Sequence, residues 1–148
     1  MELGKAIPEW ELESIFGDSV PRVRDLKGSL VLVLFFNLGC PGCKGRALPF
    51  ANRVAYEKGE QVQVLGIHSR FEGPTYTDAQ LRAAKEEYHI RFPYYRDAQS
   101  ANTFYKYQAG GTPHWILLDC EGLLVYAIFG SDPNNALLRL DYRIQEAL

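Results

Sequence analysis

The chain has 148 residues, 47% hydrophobic and 23% charged, a composition that fits one globular domain and excludes a disordered chain. Sixteen Lys and Arg against eighteen Asp and Glu leave a net charge of −2, without the basic excess that nucleic-acid or anionic-membrane binding calls for. Three cysteines are too few for a disulfide scaffold and odd in number, and two of them stand three residues apart.

The longest apolar run, Leu30 to Phe36, has seven residues against the ~20 that span a bilayer. Met1 to Trp10 carries no basic region followed by an apolar one. The chain as it stands is therefore expected in the cytoplasm. Removal of a signal or anchor would instead make it periplasmic or membrane-tethered.

Residues 1–28 read as an N-terminal extension of a single domain over residues 1–148. Leu30 to Phe36 is continuously apolar, as in a central strand covered on both faces. After Gly39-Cys40-Pro41-Gly42-Cys43, residues Ala47, Phe50, Ala51 and Val54 recur at helical spacing, and Gly59 is placed as the residue that ends the helix. Gln61 to Ile67 reads as a second buried strand, and His68 to Tyr76 as a loop. Thr77 to Gln80 is a capping box opening a helix whose inner face is Leu81, Ala84 and Tyr88.

Ser100 to Gln108 is read as a short helix stopped by Gly110-Gly111. Trp115–Asp119 and Leu123–Phe129 flank a turn at Cys120-Glu121-Gly122 and predict a hairpin. Asp132-Pro133 is placed as N-cap and first residue of a last helix lined by Leu137, Leu140, Ile144 and Leu148. The order strand, helix, strand, helix, hairpin, helix implies a three-layer α/β domain with a mixed central sheet.

Cys40-Pro41-Gly42-Cys43 lies directly between a buried strand and a helix. There the Cys40 sulfur meets the unpaired N–H groups of a helix start, with Lys44 and Arg46 in the first turn, which favours a thiolate. A thiolate attacks disulfides, and Cys43 is near enough in sequence to resolve a mixed disulfide on Cys40. Structural zinc would need about two further ligands, and Cys120, His68, His89 and His114 are all isolated in sequence. A pair of inert core cysteines is the other reading, and a strand-to-helix turn is an exposed place for it.

These features resemble the thioredoxin superfamily, most closely its TlpA-like thiol–disulfide oxidoreductases, which overlap with the redoxins. Besides the Cys-x-x-Cys turn, the resemblance rests on Asp25-Leu26-Lys27-Gly28, Leu65-Gly66-Ile67-His68 and Phe92 to Asp97. It rests also on Gly110-Gly111-Thr112-Pro113 followed by Leu117 to Gly122, and covers roughly residues 12–148. It implies a thioredoxin-like α/β/α fold, with Pro113 in the cis form facing Cys40. Cys40 and Cys43 would be catalytic, and Thr112, Pro113, Gly39 and Pro41 would contact the substrate. It further implies protein disulfide or dithiol substrates, an electron-donor protein and a monomer acting as a reductase. No metal or organic cofactor is called for beyond a redox-active Cys40–Cys43 disulfide.

The chain departs from that pattern at several points. Gly39 stands where the family usually has tryptophan, removing an aromatic lid. No carboxylate occupies the usual places for deprotonating the second cysteine, which here hold Leu34 and Arg46; Glu57, Glu86, Asp97 and Asp119 remain as candidates. Pro49 follows Cys43 by six residues instead of five, with Gly45 available to absorb the extra one. A redoxin-type thiol peroxidase would need threonine or serine three residues before Cys40 and proline seven before; Asn37 and Val33 stand there. A redox-inert interaction domain is a further alternative.

Cys120 is read as a spectator and His89 as a surface residue. His114 is placed either at the substrate groove or as a solvated strand end, and His68 in the site or in loop structure. The aromatic residues from Tyr88 to Tyr107 are read as packing around a third strand.

Overall fold

The computed structural model describes residues 1–148. Its sheet has six strands, β1 (Leu12–Glu13), β2 (Leu30–Phe36), β3 (Val62–His68), β4 (Tyr94–Asp97), β5 (His114–Leu118) and β6 (Leu124–Phe129), in the order β1-β4-β3-β2-β5-β6. β2 is central, parallel to β3 and antiparallel to β5. The sheet is therefore mixed, with helices on both faces.

Every residue of β2 is buried, and alternate side chains feed two cores. Leu30, Leu32, Leu34 and Phe36 join one with residues of α1 (Leu48–Lys58), α2 (Asp78–Glu87) and α4 (Ala136–Ala147). Val31, Val33 and Phe35 join the other with α3 (Asn102–Lys106) and Trp10. Two apolar faces explain the unbroken hydrophobic run.

Residues 1–28 are woven into this body. β1 pairs with β4, Leu124 exchanges backbone hydrogen bonds with Gly4 and Lys5, and Trp10 is buried, its Nε1–H donating to the Pro21 carbonyl at 2.7 Å.

The capping box at α2 forms as expected: Gln80 N–H donates to Thr77 Oγ1, and Thr77 N–H to Gln80 Oε1. Elsewhere the expectations need correction. Tyr94–Asp97 is a strand parallel to β3, an element missing from the expected order. Gly59 does follow the last residue of α1, but with a right-handed backbone, φ −62° and ψ −17°, instead of the left-handed one of a C′ glycine. α4 starts at Ala136: Asp132 organises a preceding turn, its carbonyl accepting from Asn135 and Leu137 and its Oδ1 from Asn134. Leu148 is exposed beyond the buried stripe Leu137, Leu140 and Ile144. No helix is long and apolar enough to cross a membrane.

Candidate active site

Beyond β2 the chain turns through Asn37 to Gly39 and enters a helix at Pro41-Gly42. The Cys40 N–H donates to the Asn37 carbonyl at 3.0 Å, and the Cys40 carbonyl accepts from Lys44 at 3.2 Å. Cys40 thus sits at the helix start, half-buried, while Cys43 is wholly buried against the α1 side of the sheet. The Cys43 N–H donates to Cys40 Sγ at 3.2 Å, and Cys40 Sγ lies 3.3 Å from the Thr112 carbonyl oxygen. The Thr112–Pro113 bond is cis, as the resemblance implies.

The extra residue before Pro49 is absorbed by a π-helical turn, Cys43–Ala47, in which Leu48 N–H reaches back five residues to the Cys43 carbonyl. Gly45 lies in that turn and is exposed, so the insertion bulges toward solvent while Cys43 and Ala47 stay in the core. Pro49 is the second residue of α1, directly after this turn, so it brings no N–H to the carbonyls of the turn it follows.

Burial is the main cause holding the Cys43 thiol far above the ordinary cysteine range, and its hydrogen bond and charge interaction with Cys40 add to it. The Asn37 backbone and the Thr112 side chain pull the other way. None of these groups is a carboxylate. Of the carboxylates considered from sequence, Asp97 is buried and committed: it accepts from Ser69 Oγ, Thr103 N–H and Phe104 N–H at 2.7–2.9 Å. Asp119 accepts two N–H bonds within the β5–β6 turn, Glu57 faces Arg53, and Glu86 is exposed on α2.

A polar network braces the Cys40 turn from behind. Asn37 Nδ2 donates to the Ser69 carbonyl at 2.9 Å, Asn37 Oδ1 accepts from Gly39 at 2.8 Å, and Ser69 in turn holds Asp97. His68 Nε2 accepts from the Leu38 N–H at 3.1 Å, so the imidazole is neutral with its proton on Nδ1. Burial chiefly, with Arg96 nearby, holds its pKa down at about 4. His68 therefore supports the loop in front of Cys40.

His114 is neither solvated nor in the groove. It is buried at the start of β5 beside Phe35, its Nδ1 has no partner, and burial lowers its pKa to about 4. His89 is exposed, as expected, and the Cys120 thiol is exposed as well. No group of three His, Cys, Asp or Glu is arranged to hold a metal ion.

Gly39 and Pro41 are exposed beside Cys40. An aromatic side chain from a distant loop stands next to position 39. Tyr76 stands over Gly39, where a β-carbon would lie 3.0 Å from its hydroxyl. The Tyr76 ring also packs edge-on against His68. Nothing local in the sequence signals Tyr76 or Ser131, whose hydroxyl adjoins Gly42; both come from distant loops.

A mixed sheet with helices on both faces, and a Cys-x-x-Cys helix start facing a cis proline, define the thioredoxin-like class of thiol–disulfide oxidoreductases. A sequence model of the AhpC/TSA family matches residues 3–127, and the chain belongs to that family. The thioredoxin-like protein YneN of Bacillus subtilis is 24% identical over 121 residues, 82% of this chain and 68% of that protein. Among solved structures, a thioredoxin-like superfamily protein superposes with a TM-score of 0.83 at 30% identity, over 96% of this chain and 95% of that one. A thiol-disulfide isomerase from Corynebacterium glutamicum follows at a TM-score of 0.78 and 27% identity, over 99% and 96%.

Proposed function

We propose that the protein reduces disulfides of protein substrates through Cys40 and Cys43. The observation that carries this reading is the sulfur of half-buried Cys40, 3.3 Å from the carbonyl of Thr112 in the cis-proline loop and backed by the buried Cys43.

In this mechanism the Cys40 thiolate attacks one substrate sulfur. The substrate S–S bond breaks, a Cys40–substrate disulfide forms, and the other substrate sulfur leaves as a thiolate. Cys43, as its thiolate, then attacks Cys40 Sγ, closing the Cys40–Cys43 disulfide and releasing the second substrate thiol. Two electrons have passed to the substrate, and an external dithiol protein must return them. Thr112 and Pro113 would align an extended substrate strand, with Gly39 and Pro41 at its edge. No metal or organic cofactor is needed for these steps.

Burial, the largest cause of the raised Cys43 pKa, persists when Cys40 is tied to substrate, so forming the Cys43 thiolate is the demanding part of the resolving step.

Reduced protein mixed with a protein disulfide tests the reading. Cys43→Ser is expected to accumulate a mixed disulfide on Cys40, and Cys40→Ser to abolish thiol release. Unchanged release from Cys40→Ser would sink the mechanism.

A further inference from the structure

The segment between β3 and α2 rises beside Cys40 and makes a cleft of about 480 Å³, lined among others by Gly39, Cys40, Phe71, Glu72, Pro74 and Thr112. Its wall is braced. Phe71 stacks on Phe104 with centroids 4.9 Å apart, Arg70 N–H donates to the Ser100 carbonyl, and Arg70 Nε donates to the Gly73 carbonyl at 2.9 Å. Gly39 lines the cleft beside the sulfur, and a β-carbon on it would point at Tyr76 and the Asn37 side chain rather than at the Phe71 to Pro74 wall.

Glu72 is the only charged residue lining the cleft, and it makes no hydrogen bond or ion pair within the protein. Arg70, Lys44 and Arg46 are nearby in sequence to the loop or to the cysteine turn, but none of them lines the cleft. A strand paired at Thr112 with its sulfur on Cys40 presents the side chain two residues away on the same face as the cysteine. We infer that Glu72 is a specificity-determining residue, favouring substrates with Lys or Arg two residues from the disulfide cysteine. This rests on the exchange reaction proposed above.

The test is single-turnover mixing of reduced protein with disulfide-linked peptide dimers carrying Lys, Gln or Glu two residues to either side of cysteine. The wild type is expected to release thiol from the Lys peptide about two- to fivefold faster than from the Glu peptide at low salt, the range of one exposed ion pair. The ratio should shrink toward one at about 0.5 M salt. Glu72→Gln should remove the order Lys, Gln, Glu, Glu72→Lys should reverse it, and Lys44→Gln should retain it.

Equal rates for all three peptides in the wild type, or an order untouched by Glu72→Gln, would overturn the inference and leave the exchange mechanism standing. Absence of thiol release from every peptide would overturn both.

Discussion

A β-carbon on Gly42 would lie 2.8 Å from the Ser131 hydroxyl oxygen, closer than side chains pack. The backbone at Gly42 is ordinary helix, φ −65° and ψ −33°, so any residue could adopt it. Glycine is held there by the neighbour alone. The Ser131 hydroxyl can rotate aside and alanine is the better helix former, so Gly42→Ala is expected to destabilise the reduced protein by no more than about 1 kcal/mol. Adding Ser131→Ala removes the offending oxygen, and the next neighbour, Pro113 Cδ at 3.9 Å, is at normal contact distance. Urea unfolding of the single and double variants measures the rescue. Equal stability of Gly42→Ala and wild type would mean that the loop yields freely.

Gly45 presents the opposite case. It lies in the exposed π-turn, and a β-carbon there meets nothing within 4 Å. Gly45→Ala should stabilise the fold by about 0.5–1 kcal/mol, since glycine is the poorer helix former and has more unfolded freedom to lose. The same urea titration reads it, and a loss of stability would contradict the geometry.

Two buried neutral histidines predict acid sensitivity. His68 and His114 hold pKa values near 4 in the fold, against an ordinary 6.5. Between those values the unfolded chain takes up protons that the native state refuses. Their contribution is therefore full above pH 6.5 and is lost as pH falls toward 4. From pH 7 to 5 the loss should be about 1–2 kcal/mol per histidine. His68→Gln should remove roughly half of the pH dependence; a flat profile in the wild type would refute the assignment.

Asp97 should behave as an anchor, given the three donors it satisfies. Asp97→Asn places an amide among those donors and is expected to cost about 2–3 kcal/mol of stability. The pH–rate profile of disulfide reduction should keep its shape. A lost limb in that profile would instead make Asp97 a proton-transfer group.

Asn37 stands where a peroxidase of the redoxin type would carry threonine or serine, and its amide is spent on the Ser69 carbonyl. With that donor withdrawn from the Cys40 side, hydrogen peroxide turnover should run at least about a hundredfold below that of such an enzyme. Peroxide consumption monitored by a coupled thiol assay distinguishes the two activities.

Much of this was legible in the chain because it is local. Seven apolar residues in a row at Leu30–Phe36 permit little other than a central strand, and Thr77 and Gln80 can complete a cap within one helical turn. The Cys40–Cys43 spacing likewise reaches across one turn. Asp132-Pro133 misled because the same residues that cap helices also stabilise turns, and there Asp132 did the latter. His114 reads as a groove residue or a solvated strand end because it directly follows Pro113; its burial beside Phe35 on another strand is a tertiary contact.

The spacing of Cys40 and Cys43, and their place between an apolar strand and a helix pattern, single them out in the sequence as a pair at a helix start, with Cys120 apart from them. What surrounds that pair was decided only by tertiary structure. Tyr76 over Gly39, Ser131 against Gly42, Glu72 in the cleft and Asp97 behind Asn37 all reach the site from segments far away in the chain. Propensity and periodicity act over one or two helical turns or a few strand residues. Contacts that close over 30 to 90 residues exist only once the sheet has brought its loops to one edge.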